Sequence, residues 1–558
     1  MCALPYPIRL AITGHRKDMV AHRDQLITAV QQALSVDHRE NGKIHGPTVF
    51  DLFEKGSQRA IRRARTTSFS YTLLTGLAEG ADRIVTDAVL ALPHSRVVPV
   101  LPIEQADYEA TFEGPGAVKD FGLQLERCAR PVQLQGSSKD LTAAFRGLGE
   151  YLVANSDVLI AVLDSTRKGG DGGTADVVAM ARRAGHPLLI IDEHFKVSVE
   201  MPGTKRLKCP GIAQFERLNK IVVGRELLEK SMNDLLGFGN GSVRADYPVR
   251  VDVLERSLVG VYARADLLAK QCKSWFLGVG IGVHVFSALA VLSVACGLVI
   301  PWFGHVAYLV EACILFVILC AVLWGQRMRV HRRWLQSRFL AERCRTMACG
   351  FVLGFEPTRI EPLALARKEE DDRWVVLAHD QVWSMLDRSV EVAKARAMNT
   401  EGDRDTAHDL VLNTLIAGQV DYHDGKQKRN ERINHRLETS GHVVFALALV
   451  AALLHYFLPA GKMIYRPHAL QDVLTVLAVL LPVVAASIEG VRKLGGYARM
   501  ALSNQRMARE LEGITGKLSD KHPLSELNAT FRELDQVLNR ESQEWLALMI
   551  TNELEPVT

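Results

Sequence analysis

The pattern of apolar and polar residues divides the chain into an N-terminal part with short apolar runs and a C-terminal part with four long ones. The long runs lie at 275–300, 306–325, 441–458 and 470–488. A helix needs roughly 20 apolar residues to cross the hydrocarbon core of a bilayer, so each run is long enough to span it. Short turns that contain proline and glycine join the runs in pairs. The pattern therefore predicts two transmembrane hairpins.

Residues 1–195 show a different pattern, in which short apolar runs alternate with amphipathic stretches. Continuous apolar runs are typical of strands buried on both faces, and the stretches between them have helical spacing. This alternation predicts an α/β domain with a parallel sheet that is covered by helices. The predicted strands are 8–13, 69–75, 96–101, 158–163 and 187–191, and two of the predicted helices are 22–34 and 81–90.

The same pattern predicts the order of segments along the chain. Both hairpins lie within similar modules of helix, span, turn, span and basic helix, although the two modules share little residue similarity. The region after the α/β domain is therefore expected to be all-α and to contain the four spans. The predicted segments are 1–195 for a ligand-binding domain, 196–253 for a connector, 254–350 for the first hairpin module, 351–406 for a cytoplasmic helical linker, and 407–558 for the second hairpin module with C-terminal helices.

Basic residues are distributed asymmetrically around the apolar runs. Several arginines follow the second run, lysines and arginines precede the third, and Arg492 and Lys493 follow the fourth. The turn of the first hairpin carries neither residue type, and the turn of the second carries only Lys462 and Arg466. The positive-inside rule therefore predicts a multi-pass protein of the inner, cytoplasmic membrane with both termini in the cytoplasm.

Net charge and cysteine content argue against a nucleic-acid partner and against a bound metal. A formal charge of +4 over 558 residues gives no case for a nucleic-acid partner. The nine cysteines lack the paired spacing of a metal site, so no metal is expected. The N-terminus lacks the basic segment and the long apolar segment of a signal peptide.

Glycine-rich loops follow three of the predicted strands. In an open parallel sheet, ligands bind outside the carboxyl ends of the strands, where glycine lets the backbone approach a phosphate and helix N-termini present unpaired N–H groups. A single such loop is also an ordinary strand-to-helix turn, but three at one sheet edge indicate a binding site. The candidate ligand-binding residues are Gly14, His15, Arg16, Gly76, Leu77, Glu79, Gly80, Asp82, Asp164, Gly172, Gly173, Thr174 and Asp176.

Two of the charged candidates, Arg16 and Asp82, have two interpretations each. Arg16 suits bidentate contact with a phosphate, and it suits a surface ion pair equally well. Glu79, Asp82 and Asp164 have the acceptors to hold ribose hydroxyls, whereas Asp82 is also placed to stabilise the start of a helix. No residue is predicted to be catalytic.

Two ionisable residues inside the apolar runs are candidate pore residues. Charge in lipid is costly, so such groups usually face a bundle interior or water. His284 lies near the middle of the first run and Glu311 lies near the outer end of the second. The alternatives are a neutral histidine bonded to a neighbouring helix and a glutamate that reaches the outer surface.

The loop residues of the N-terminal domain resemble those of the SLOG superfamily, the Rossmann-like fold shared with DNA-processing protein A and the LOG-type nucleotide hydrolases. The resemblance covers about 190 residues, which is the size of one domain, and rests on Ile12 to Arg16, on the loop from Gly76 to Asp82, and on Gly172-Gly173-Thr174. It implies a pocket for a nucleotide or a nucleotide-derived second messenger. The cofactor, if there is one, is unknown.

The chain departs from the hydrolase members of that superfamily. Their Pro-Gly-Gly-x-Gly-Thr-x-x-Glu motif ends in a catalytic glutamate, where this chain has Val177. Asp176 comes one residue early, and one helical step turns a side chain by ~100°. The departure favours a ligand binder, with a membrane-tethered nucleotide or nucleoside-phosphate hydrolase as the alternative.

The helix, span, turn, span and helix order behind such a domain resembles the SLATT effectors of bacterial conflict systems. The resemblance is strongest at 419–436 and at 265–275, each with the hairpin that follows. It implies a homo-oligomeric effector that permeabilises the lipid bilayer in antiviral defence, with a nucleotide-type small molecule as its signal.

Overall fold

The computed structural model describes residues 3–15, 22–35, 46–113, 115–163, 173–203, 206–236, 240–355, 373–390, 408–457, 467–517 and 524–550. The chain divides into two compact units. The first comprises Met1–Val222, Val253–Val261 and Ala364–Arg396, and the second comprises Val223–Asp252, Tyr262–Leu363 and Ala397–Thr558. The first unit thus includes 196–222, which the sequence assigned to the connector.

A sheet of seven strands forms the centre of the first unit, and its order is β4-β3-β2-β1-β5-β6-β7. All neighbouring strands are parallel except β6 and β7, which are antiparallel. The α/β fold class and the five predicted strands are therefore confirmed. The strands are β1 Tyr6–Gly14, β2 Phe69–Thr75, β3 Arg96–Leu101, β4 Val132–Gln133, β5 Val158–Val162, β6 Leu188–Ile191 and β7 Val197–Glu200.

The described helices account for most of the remaining chain. Short 3-10 turns occur at Val49–Leu52 and Pro301–Phe303, and a π-helix occurs at Leu410–Ala417. The α-helices are α1 Arg23–Leu34, α2 Lys55–Arg63, α3 Ala81–Leu90, α4 Gln105–Glu109, α5 Pro115–Glu126, α6 Leu141–Asn155, α7 Thr174–Arg183, α8 Ile212–Lys220, α9 Arg225–Leu236, α10 Asn240–Asp246, α11 Pro248–Ser257, α12 Val259–Val299, α13 Gly304–Met328, α14 Val330–Leu353, α15 Arg373–Val390, α16 Gly418–Phe457, α17 Pro467–Gly495, α18 Tyr497–Lys517 and α19 Leu524–Ile550.

The core of the first unit lies between the sheet and the helices that cover it. All five residues of β5 are buried, and its Leu159 and Ala161 pack in one cluster with Leu148 and Leu152 of α6 and with Val177 and Val178 of α7. This burial explains why the strands have continuous apolar sequences. The helix α15, although distant in sequence, also belongs to this unit, because its Trp374 is fully buried against the ring of Phe215.

A buried carboxylate joins α8 to the start of β2. Glu216 accepts hydrogen bonds from the backbone N–H groups of Arg65 and Thr66 and from the hydroxyl groups of Thr66 and Thr67, at 2.8 to 3.2 Å. Burial alone raises the pKa of Glu216, but these hydrogen bonds lower the pKa below its ordinary value. The side chain is therefore held as a carboxylate.

Four helices of the second unit are long and apolar enough to cross a bilayer. They are α12, α13, α16 and α17, which contain the four predicted runs. In three of them the protein buries only 11% of the most apolar segment, so large hydrophobic side chains face outward. The prediction of transmembrane helices in a multi-pass membrane protein is thereby supported. The turn of the second hairpin, with Lys462 and Arg466, lies outside the described residues.

The first hairpin is held together by close contacts along α12 and α13. Val283 packs with Ile318 and Val322, and the hydroxyl group of Ser293 donates a hydrogen bond of 3.1 Å to the carbonyl oxygen of Ala307. The helix α13 ends before Arg329, which has a left-handed backbone with φ of 46°, and α14 begins directly after it. The second span and the basic helix that follows it are therefore two separate helices.

Outside the spans, the second unit has its own buried core. The helix α14 packs against α9 and α19 and is almost entirely buried over its last two turns. At its centre the guanidinium group of Arg343 lies 2.9 Å from the carboxylate of Asp535, and both side chains are 1% exposed. The pair joins two helices that are far apart in sequence.

Candidate functional site

The centre of the sheet in the first unit is a topological switch point, because the chain leaves β1 toward β2 and later returns to its other side at β5. In open α/β sheets, ligands bind beyond the carboxyl ends of the strands at this point. The last residues of β1 and β5 are neighbours, since Gly14 pairs with Val162. The loops after β1, β2 and β5 therefore begin at one edge.

Gly14 is where β1 approaches its neighbours most closely. A Cβ atom at residue 14 would lie 2.5 Å from the Cβ of Ala81 and 3.2 Å from the Cβ of Val162, so only glycine fits without movement. The next residue, His15, is half-buried, and its carbonyl oxygen accepts a hydrogen bond of 3.3 Å from the N–H of Ala81. The first loop thus lies directly against the N-terminus of α3.

The second loop, from Gly76 to Gly80, is held by hydrogen bonds to side chains of β2 and α4. The N–H of Leu77 donates to the hydroxyl of Thr75 at 3.0 Å, and the hydroxyl of Tyr108 donates to the carbonyl of Gly76 at 2.9 Å. Leu77 has a left-handed backbone and a fully buried side chain. Its predicted role as a ligand contact is thus limited to shaping the loop, because its N–H is already used.

Arg83 also holds this loop and was missed at the sequence level. Its Nε donates a hydrogen bond of 3.1 Å to the carbonyl of Leu77, and one terminal nitrogen donates a bond of 3.0 Å to Ala117. The guanidinium group lies 5.0 Å from the ring centre of Phe112. Burial lowers the pKa of Arg83, which nearby Glu79 partly offsets. Nothing in the local sequence distinguishes Arg83 from an exposed helical arginine.

The two acidic candidates of this loop make structural contacts. One carboxylate oxygen of Glu79 accepts a hydrogen bond of 3.1 Å from the N–H of Glu113. Asp82 is buried in the first turn of α3, where a negative charge stabilises the helix dipole. A Cβ atom on Gly76 would be 3.8 Å from a carboxylate oxygen of Asp82, which places that group beneath the loop.

The third candidate group begins α7. Gly173 precedes the first turn, Thr174 is buried, and Asp176 is half-buried in that first turn. Val177, at the position of the hydrolase glutamate, is 4% exposed and packs on Gly149 of α6. The predicted ligand residues Arg16, Asp164 and Gly172 lie outside the described residues.

The arrangement is suited to an anion. The helices α3 and α7 both begin at the carboxyl edge of the sheet, so their first N–H groups and the positive ends of their dipoles face the same side. Within the described residues, the N–H groups of Ala78, Glu79 and Gly80 have no hydrogen-bond acceptor. Free N–H groups beside a close backbone approach form an edge that can receive a phosphate.

The candidate pore residues lie apart from each other. A Cβ atom on Gly490 of α17 would be 2.2 Å from the imidazole of His284, and the hydroxyl of Ser487 donates to the carbonyl of His284 at 3.3 Å. His284 therefore faces the fourth span. Glu311 is half-buried on α13. His284 lies farther from the end of α12 than Glu311 lies from the start of α13. At 1.5 Å per helical residue, the two distances from the turn that joins these helices differ by about 12 Å.

No family model matches the chain, and no curated protein matches it either. The class of the protein therefore rests on its own geometry, which is an α/β unit with a mostly parallel sheet together with a helical unit containing four apolar helices long enough to span a membrane.

Proposed function

We propose that the protein is a membrane effector that is controlled by a ligand. Its α/β unit binds a nucleotide-derived signal in the cytoplasm, and its hairpins associate or rearrange to permeabilise the inner membrane. Such an activity would serve antiviral defence by arresting or killing an infected cell. The SLOG-like loops and the SLATT-like order of helices and spans motivate this assignment.

One observation carries the proposal, which is the shared edge of the sheet at which β1 and β5 end and beside which α3 begins. Gly14 brings the end of β1 against β5 and the start of α3, and the N–H groups that follow Leu77 lie beside it. Phosphates bind to such helix starts because backbone N–H groups and the helix dipole both favour negative charge. A phosphate-bearing nucleotide is therefore the ligand that this edge fits best.

The membrane half supports association between copies of the chain. Gly280 of α12 packs within the chain, because a Cβ there would lie 2.1 Å from the side chain of Leu494. Gly278 and Gly282, in contrast, have no atom of the described chain within 4 Å of a Cβ position. Small residues four apart allow two helices to approach closely, so this open face suits contact with a second copy.

The hydrolase alternative has less support. A catalytic carboxylate at residue 177 is replaced by a buried valine, and the carboxylate of Glu79 already accepts a hydrogen bond from Glu113. Asp176 remains the one acidic side chain of the described α7 start. Turnover of a nucleotide that is lost in Asp176→Asn would favour the hydrolase over the effector.

Dye release from liposomes tests the proposal. Full-length protein is reconstituted and exposed to a panel of nucleoside phosphates, ADP-ribose and cyclic dinucleotides, and at least one is expected to trigger release. His15→Glu should abolish the response, because it adds a negative charge at the edge that receives the phosphate. Ala154→Glu is the matched control, since residue 154 is exposed at the opposite edge, before β5. Release that is independent of every ligand, or equal loss in both variants, would overturn the proposal.

A further inference from the structure

The second unit contains a cavity of about 360 Å³ outside the sheet edge described above. Helices α12, α14, α16, α17, α18 and α19 enclose it, together with the π-helix. It lies where the apolar runs end, because Lys273 precedes the first run by two residues and Leu494 follows the last. A volume in this range is typical of sites for small ligands.

The cavity is lined by more positively charged side chains than negatively charged ones. Three carboxyl groups line it, those of Asp266, Glu342 and Glu541. Six cationic side chains line it as well, and they are Lys270, Lys273, Arg338, Arg345, Lys426 and Arg429. The cavity is therefore cationic even when all three carboxyl groups are ionised.

Two of the carboxylates are already used by three of the cations. Asp266 forms an ion pair of 2.6 Å with Lys270. Glu342 is shared between Arg338, which contacts it directly, and Arg345, at 3.1 Å. These contacts lie within one helix in each case, at the spacing of three or four residues that brings side chains together.

The other three cations have no such partner. In the part of the chain that the structure describes, no carboxylate lies within 4 Å of Lys273, Lys426 or Arg429. The ammonium of Lys273 lies 5.6 Å from the ring centre of Trp334, and that of Lys426 lies 5.3 Å from the ring centre of Tyr422. Like charges in a partly buried site repel each other, and an anion between them relieves that repulsion.

An unpaired donor adds an independent indication. Asn430 lines the cavity and is 7% exposed, and its side-chain nitrogen has no acceptor among the described residues. A buried donor without an acceptor costs about 1–3 kcal/mol, and a ligand oxygen at this position would remove that cost. Lys426 and Asn430 both lie on α16, one helical turn apart, so their side chains line the same part of the cavity.

We propose that this cavity binds a phosphate-bearing ligand. Its phosphate carries at least two negative charges, or the ligand has further hydrogen-bond acceptors beside the phosphate. Lys273, Lys426 and Arg429 neutralise it, and the amide of Asn430 donates a hydrogen bond to one of its oxygens. The rings of Trp334 and Tyr422 provide apolar surface for the rest of the ligand. The phosphate belongs either to an anionic lipid headgroup of the adjacent leaflet or to a soluble phosphate ester.

Binding by the full chain in nanodiscs tests the proposal and separates the two sources. In phosphatidylcholine nanodiscs, inorganic pyrophosphate should raise the thermal midpoint if the site takes a soluble ester. In nanodiscs that contain phosphatidylglycerol, a rise without added pyrophosphate indicates a headgroup. Native mass spectrometry of the purified chain reports any anionic lipid that it retains.

A matched pair of variants decides whether the effect belongs to the cavity. Lys426→Gln should weaken the binding by about ten-fold or more, which is typical of losing one charged hydrogen bond. Lys428→Gln removes the same charge from an exposed position two residues away and should leave binding unchanged. Lys273→Gln, on another helix, is a second variant in case Lys426→Gln folds poorly by circular dichroism. Absence of any response to either phosphate source, or equal weakening by Lys428→Gln, would overturn the proposal.

Discussion

Gly14 lies so close to Ala81 that a single added methyl group at residue 14 would be 2.5 Å from the Ala81 Cβ. Two carbon atoms that are not bonded do not stay that close, so either β1 or α3 would have to move. The end of β1 and the start of α3 therefore depend on glycine for their spacing, and the sheet edge keeps its shape because of it.

Gly14→Ala is expected to destabilise the first unit by about 1–3 kcal/mol through overpacking. Thermal unfolding of the full chain in detergent, followed by circular dichroism, measures the change. Under the proposed function, the same variant should also weaken nucleotide binding, because the first N–H groups of α3 shift. An unchanged midpoint with unchanged binding would show that the edge accommodates a side chain.

A pair of glycines on α6 offers a test with its own control. A Cβ on Gly149 would lie 2.6 Å from the side chain of Val177, whereas a Cβ on Gly147 meets nothing within 4 Å in the described chain. Gly149→Ala should therefore lower the thermal midpoint. Gly147→Ala should raise stability by about 0.5–1 kcal/mol, because alanine loses less backbone entropy in a helix. Equal effects of the two substitutions would contradict the packing of α6 on α7.

Glu216 gives the stability of the first unit a defined pH dependence. Its folded pKa is lowered from 4.5 by the hydrogen bonds from Arg65, Thr66 and Thr67. The stabilisation is therefore present above about pH 4.5 and is lost as the pH falls through the lower folded pKa. Glu216→Gln should cost about 1–3 kcal/mol at neutral pH. Unfolding midpoints of both proteins should converge in acid, and a constant difference would rule out this role.

Glu541 should act in the opposite direction. Burial, assisted by the charge of Glu342, raises the pKa of Glu541 from 4.5 to about 7, although Arg338 opposes the shift and Glu544 adds to it. Because its folded pKa is raised, the stability that this group contributes is complete below about pH 4.5 and is lost as the pH rises through about 7. Glu541→Gln should remove that decline from a series of thermal midpoints. A decline that persists in the variant would assign it to another group.

The open glycine face of α12 predicts a change in assembly. Gly278→Leu and Gly282→Leu should reduce the oligomer size measured by native mass spectrometry or crosslinking in detergent, because leucine keeps the helices apart. The control is Gly224→Leu, at a glycine before α9 that has no neighbour within 4 Å in the described residues. If the α12 variants keep the wild-type size, the face is covered by lipid.

The strands that could be predicted are those buried on both sides. The residues of β5, for example, are wholly apolar because helices cover both faces, and that requirement is visible in any single sequence. The strand β4 has only two residues and gives no pattern, and β7 is an edge strand whose residues are partly exposed. Both depend on neighbours that the local sequence does not specify.

The candidate sites differ in the same way. Gly14 and Gly76 could be predicted because Gly14 ends a strand and Gly76 directly follows one, but the role of Arg83 depends on a carbonyl that only the folded loop presents. The cationic cavity was missed because its residues come from helices that are far apart in sequence, as Lys273 of α12 and Glu541 of α19 show. In sequence, each of its charges looks like an ordinary residue at a membrane surface.

The buried pair of Arg343 and Asp535 has a consequence for biosynthesis. A guanidinium group without its counter-charge is not stable in a dry interior, so α14 cannot close its core before the ribosome has made α19. Translation proceeds from the N-terminus, and the α/β unit and both hairpins therefore emerge first. The core around α14 therefore stays open until α19 has been made, which happens after both hairpins have emerged.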